Sequence, residues 1–357
     1  MLGIGGLLLF LGISRNVEPV LLLPIGVGIL LTNIPLSGML DAGGLFGVLK
    51  KAGIETELFP LLVFIGVGAM IDFGSLLARP YTVLLGAAAQ FGIFGTFILA
   101  YMIGDGCLHL LPLNLAQAAS VGVIGSADGP TSIYVSSILA PELLSPIAVA
   151  AYSYMALVPI IQPPIMKLLT TKEERRIRMP IVEKEISQPM KILFPIVVIV
   201  VVGLIAPKAT ALIGCLMLGN LLKESGVVPG LSSAAENAMV NIVTILLGLT
   251  VGGMMIAEQF LKSQTIIVFT MGIVAFALDT GAGVIFGKII CHLSGKKVNP
   301  LIGAAGISAF PMSARVVQKV GLEEDPENHL LMHAAGANTA GQIASVVAGG
   351  AILALLL

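Results

Sequence analysis

The sequence predicts an all-α polytopic membrane protein, and three observations carry that prediction: scarcity of charge, pervasive apolarity and a succession of long apolar stretches. Of 357 residues, 57% are hydrophobic and only 11% are charged, against about 25% charge in an ordinary soluble domain. The mean hydropathy is +1.02. A buried soluble core could account for one such stretch, but not for a dozen in a row. The net charge of −1, with no concentrated basic tract, excludes a nucleic-acid partner. Cys107, Cys215 and Cys291 are scattered, outside CxxC spacing, and read as small packing residues. The 42 glycines and 20 prolines suit close helix contacts and helices broken beside a cavity, as in a transporter or pump.

In chain order the apolar stretches fall at 1–14, 19–36, 58–71, 81–104, 114–140, 144–170, 192–206, 209–222, 238–257, 264–291, 299–320 and 328–357. The first lacks a basic region ahead of it and reads as a short membrane segment. Those at 114–140 and 299–320 are interrupted by Gly and Pro. One long polar insert, 171–191, holds Lys172, Arg175, Arg176, Arg178, Lys184 and Lys191, and the positive-inside rule makes it cytoplasmic. It divides the chain into a first membrane repeat (1–170) and a second (192–357). Pro19/Pro207, Gly26/Gly214, Ser37/Ser225 and Gly38/Gly226 match 188 apart, "GAMI" at 68–71 matches "GMMI" at 253–256, and Pro130/Pro311 and Ser132/Ser313 match 181 apart. Two repeats with paired broken helices are the best sequence pointer to a binding site at the bilayer midplane. Their topology is inverted if each half holds an odd number of spans.

The first break, "VIGSADGPTSIY" (123–134), sets Asp128 before Gly129 and Pro130. A carboxylate at membrane depth costs at least a few kcal/mol and marks function by default. Asp128 either caps a half-helix beginning at Pro130 or serves as a cation ligand or proton carrier. In the second break, "NPLIGAAGISAFPMSARVVQ" (299–318), Asn299 and Ser308 can face one site only if the helix unwinds near Ser308–Pro311. Taken alone, Asn299 reads as a cap before Pro300 and Ser308 as packing. Arg315 is placed either to clamp an anion or to snorkel. Asn338, Gln342 and Ser345 form a stripe at i, i+4 and i+7, suited to a cavity or to interhelical hydrogen bonds. Tyr154 falls near Asn338 under the repeat. Asp72 reads as interfacial and Asp279 as capping a kink, and His292 and His333 lack ligand spacing. Walker A, GxSxG and HExxH motifs are absent from the sequence.

These stretches, with "ALDTGAGVIFGKII" (277–290) and "HAAGANTAGQIASVVAGG" (333–350), resemble the membrane β subunit of sodium-pumping biotin-dependent decarboxylases, the family serving oxaloacetate, methylmalonyl-CoA, glutaconyl-CoA and malonate decarboxylase complexes. The resemblance covers nearly the whole chain. It implies an elevator-transporter-like fold with a mobile core, and a subunit that decarboxylates carboxybiotin while exporting Na⁺ and consuming a proton. By motif match, Asp128, Tyr154, Asn299, Gly303, Ser308, Arg315 and Asn338 line the Na⁺ and carboxybiotin pathway. Asp128, Asn299, Ser308 and Asn338 are then Na⁺ ligands, Gly303 and Arg315 meet carboxybiotin, and Asp128, Tyr154 and Arg315 carry the chemistry. Carboxybiotin would arrive on a biotin carrier protein, not covalently bound to this chain. The implied partners are a carboxyltransferase, a small single-helix γ- or δ-type subunit, membrane lipid and further copies in an oligomer. The implied location is a bacterial or archaeal cytoplasmic membrane. A Na⁺-coupled elevator-type symporter or exchanger of a small anion, without decarboxylation, shares the composition and the repeats. A structural scaffold leaves Asp128 and both breaks unexplained.

Overall fold

The computed structural model describes residues 1–15, 19–106, 108, 113–180 and 186–357; Cys107 and Lys184 lie outside the described residues. The chain is an all-α membrane protein, with no strand among those residues. Its principal helices are α1 (Leu2–Ser14), α2 (Pro19–Thr32), α3 (Leu58–Met70), α4 (Thr82–Ala89), α5 (Phe91–Tyr101), α6 (Leu115–Val123), α7 (Gly129–Leu139) and α8 (Leu144–Leu169). They continue with α9 (Gln188–Ile205), α10 (Thr210–Ser225), α11 (Val240–Gly253), α12 (Ser263–Leu293), α13 (Met312–Glu324) and α14 (Leu331–Leu356). Among the described residues five helical stretches are long and apolar enough to cross a bilayer, or up to seven if each of two bent pairs is one span. α1, α2 and the α6 region are shorter than a span. α8 bends by 64° between Met155 and Leu157; the ring of Pro159 cannot accommodate the carbonyl four residues back, at Met155.

Two helix groups account for the packing. In the first, α2 lies on α11 and α3 on α10, with α1 against α2 and α9 against α10. Apolar side chains gain little by leaving lipid, so these pairs depend on backbone approach. Gly28 faces the backbone of Leu249, Gly252 and Gly253, and Gly219 faces the carbonyl of Ile65 so closely that neither has room for a Cβ. In the second group α5 lies on α6, α8 on α12, α4 on α14, and a 3₁₀ helix, Pro300–Gly306, on α12. Here Gly303 meets Gly283 backbone to backbone, and Gly86 meets Ala340 and Gly341. Helices from both halves of the sequence build each group, so neither half is a separate bundle.

Both interrupted stretches break. After α6 comes a 3₁₀ turn, Ile124–Ser126, then Ala127 in the left-handed region (φ 53°) and Asp128 extended at the start of α7. The second stretch is the 3₁₀ helix, a non-helical run from Ile307 to Pro311, then α13. The polar segment after α8 is strapped to the second group: Arg175 pairs with Glu324 at 2.6 Å, and Arg178 with Asp325 at 2.6 Å and Glu327 at 2.5 Å.

Two outcomes follow from this packing. Gly219→Val forces a side chain into the α3 backbone and is expected to cost roughly 1–3 kcal/mol or more. Gly214→Ala on the same helix meets nothing within 4 Å and should be neutral or stabilise by up to about 1 kcal/mol; unfolding in mixed detergent reads both. The arginines hold the Glu324 and Asp325 carboxyls below their ordinary values of 4.5 and 3.8. Depressed carboxyls contribute stability that is complete above those values and lost as the pH falls through the lower folded ones. Hydrogen-exchange protection of residues 171–180 is therefore expected to hold at pH above about 4.5 and to collapse only in stronger acid.

Candidate functional site

The two breaks meet. The Ser308 amide donates to the Ser126 carbonyl at 2.9 Å, a backbone bond between unwound segments 182 residues apart in sequence. α14 closes over this contact with the polar stripe: the Asn338 amide donates to the Ile307 carbonyl at 2.6 Å, Gln342 donates to the Ser308 carbonyl, and the Ser308 hydroxyl donates to the Gly341 carbonyl at 2.9 Å. Gly341 permits this approach, since a Cβ there would strike the Gly306 carbonyl.

Asp128 sits at the centre, 4% exposed. Its Oδ1 accepts the Thr131 amide at 3.1 Å and its Oδ2 accepts the Ser345 hydroxyl at 2.6 Å. The cap of α7 and the buried charge are therefore the same group, and the alternatives open in the sequence do not exclude each other. Beside it lies a cavity of about 90 Å³, lined by Asp128, Pro130, Ser308, Phe310 and Gln342 of the second helix group and by Phe64, Val67 and Met70 of α3 in the first. Among the described residues Asp128 is the one ionisable side chain on this wall. Nearby, Asn338 Oδ1 is buried without a donor, an acceptor oxygen that an ion could use.

Several expected site residues lie elsewhere. Asn299 does not join Asp128: it stands at the end of the seven-residue 3₁₀ helix far from Ser308, and that helix is itself roughly 14 Å long at about 2 Å per residue. There its side chain caps the 3₁₀ helix through Leu301 N and donates to the carbonyls of Arg175 and Ile177, both at 2.9 Å. Gly303 is spent on the contact with Gly283. Tyr154 donates its hydroxyl to the Phe269 carbonyl and covers Gly272 on α12. Residues two apart on a helix point about 200° apart, so the tyrosine over the first break is Tyr152, whose ring lies on Gly129. Arg315 is exposed on the first turn of α13, outside that cavity wall. Sequence reasoning missed Tyr152. For Gln342 and Ser345 the polar stripe was the signal, although it did not say that Ser345 would reach Asp128.

Fold and site thus define a helical membrane protein in which a buried carboxylate lies where two broken helices cross, between two groups of helices. Residues 1–356 match the family described as Na⁺-transporting oxaloacetate decarboxylase beta subunit. The chain is 50% identical to the methylmalonyl-CoA decarboxylase subunit beta of Propionigenium modestum, covering 97% of this chain and 92% of that protein. It is 46% identical to an oxaloacetate decarboxylase beta chain of Salmonella typhi (100% and 94%) and 50% identical to the glutaconyl-CoA decarboxylase subunit beta of Acidaminococcus fermentans (100% and 92%). The chain belongs to this family of Na⁺-transporting decarboxylase beta subunits. It is the membrane component of a biotin-dependent decarboxylase coupled to sodium transport.

The Ser345 contact is testable by itself. Ser345→Ala removes a hydrogen bond to a buried carboxylate and is expected to cost about 1.5–3 kcal/mol, read as a lower unfolding midpoint that Ser345→Thr restores in part. Asn299→Ala should leave this pocket intact and instead raise hydrogen exchange at residues 171–180.

Proposed function

We propose that this subunit decarboxylates carboxybiotin and couples CO₂ release to Na⁺ export with proton consumption, and that Asp128 is the Na⁺-binding charge. The observation that carries this reading is the single carboxylate on the cavity wall at the crossing of two unwound segments. One negative charge surrounded by neutral oxygens suits a monovalent cation, and unwound backbone with Ser and Asn oxygens completes a hard oxygen set. Asn338 Oδ1, left without a donor, and Ser308 are the neutral ligands. A bound Na⁺ would hold Asp128 ionised.

The other residues singled out lie outside that cavity wall. Arg315, exposed on α13, meets the carboxylate of carboxybiotin, where a guanidinium can pair bidentately. Tyr154 is engaged with Phe269 and serves to hold α8 to α12. The proton that must reach the leaving nitrogen of biotin is not assigned to it. Asn299 positions the strap at residues 175–177 and through it the end of the 3₁₀ helix.

Two inverted repeats, 1–170 and 192–357, give an elevator-type cycle in this reading. Its supports are the exchanged pairs α2–α11 and α3–α10, and a cavity walled by both helix groups. Movement of the second group past α3 would carry Asp128 from one side to the other. The strap, with Lys172, Arg175, Arg176 and Arg178, faces the cytoplasm by the positive-inside rule, in the cytoplasmic membrane of a bacterium or archaeon. Carboxybiotin comes on a separate biotin carrier charged by a carboxyltransferase. A small single-helix subunit and further copies of this chain complete the complex. A secondary transporter without chemistry shares the architecture but not the family membership.

Free carboxybiotin decarboxylation by the purified complex, with and without Na⁺, tests this. Activity is expected to require Na⁺ and to be lost in Asp128→Asn. Na⁺-dependent turnover surviving in that variant would refute the assignment.

A further inference from the structure

The site leaves one deeply buried carboxyl unused. Asp279 lies in the middle of α12 with no exposure; among the described residues no side chain donates to its carboxyl, whose polar neighbours are the backbone amides of Gly92 and Ile93 at the start of α5. Two glycines face it, each beside a helix break. Gly92 opens α5 just after the break at Gln90, and a Cβ there would overlap the Asp279 carboxyl. Gly125 lies in the 3₁₀ turn that leads to Asp128, and a Cβ there would sit 3.2 Å from Asp279 Oδ2. The carboxyl thus fills the space that two missing side chains leave.

An ionised carboxylate in that position, unpaired, would cost several kcal/mol. A metal ion could offset the charge only with several further oxygen ligands around it. The walls nearest Asp279 offer glycine backbone and the methyl of Ala275, which Gly125 also touches. A proton needs no coordination sphere. The other titratable groups described in this part of the fold are Asp128, three residues beyond Gly125, Tyr152, whose ring lies on Gly129, and Tyr154, which lies on Gly272 two turns away along α12. α5 presents none in the turn that contacts Asp279.

We propose that Asp279 is a proton-binding site, its carboxyl un-ionised in this structure and separate from the cation-binding carboxylate Asp128. The two aspartates have unlike surroundings: Asp128 accepts a side-chain hydroxyl as well as a backbone amide and borders a cavity, whereas Asp279 meets backbone alone and has no exposure. Unlike environments of this kind assign one carboxyl to carry a proton and the other a charge. Contact with Gly125 places the proton directly behind the first break, so gain or loss of charge at Asp279 would push on the turn that holds Asp128. The inference stands whether or not Asp128 binds Na⁺.

Infrared spectroscopy of the purified complex in lipid, with this chain carrying ¹³C-carboxyl aspartate, tests it without turnover. The C=O stretch of an un-ionised aspartic acid is expected at neutral pH, with or without Na⁺. It should persist in Asp128→Asn and disappear in Asp279→Asn. If Asp279→Asn does not assemble, Asp128→Asn still decides the matter, because Asp41, Asp72 and Asp105 are exposed and Asp325 is paired with Arg178. Absence of the band in both wild type and Asp128→Asn, or its loss in Asp128→Asn, overturns the proposal.

Discussion

A helix that breaks inside a bilayer leaves amides and carbonyls that lipid cannot satisfy, and the centre of this protein is organised around that constraint. The bond from Ser308 N to Ser126 O satisfies one group from each of two breaks at once. What that bond cannot reach, α14 supplies: Asn338 and Gln342 donate to the carbonyls of Ile307 and Ser308. Asp128 satisfies the Thr131 amide at the start of α7. The charged group is therefore part of the same backbone accounting, and the cavity beside it exists because the chain stopped being helical there.

The glycines follow from the same geometry. Breaks can cross only if the surrounding backbones approach to contact, and Gly303 against Gly283 and Gly341 against Gly306 provide that approach. The first helix group uses the device for another purpose, interlocking helices from the two halves of the sequence at Gly28, Gly68, Gly219 and Gly252. In that group the polar contacts sit at helix ends, as where Asn220 donates to the Ile71 carbonyl and Asn33 to the Met255 carbonyl. The other adds a polar network, and the cavity lies on the seam between them.

The strap after α8 contributes a second polar network. Asn299 and Asn328 both donate to the Arg175 carbonyl, at 2.9 and 2.8 Å, while the Arg175 guanidinium pairs with Glu324. A segment that composition marks as a solvated linker is fixed at both backbone and side chain. Bend, strap and 3₁₀ helix then tie α8 to the rest of the second group.

By itself the sequence determined the class and the positions of the two breaks, and it singled out Asp128 as a carboxylate at one of them. Apolarity, proline and an uncompensated acid are local signals with large energies. The polar stripe on α14 was legible too, because helical periodicity places Asn338, Gln342 and Ser345 on one face. Only the tertiary structure decided which side chains meet. Asn299 could share a site with Ser308 only if the chain unwound between them, yet a 3₁₀ helix separates the two and the Asn299 side chain is engaged by the strap. Tyr154 was named and Tyr152 missed, because the choice depends on which face of α8 meets the first break. Asp279 read as a kink cap until Gly92 and Gly125 were seen to converge on it. Residues far apart in the chain come together through glycine contacts that carry no side-chain signal, so the partners of each buried polar group emerge only when the backbones are packed.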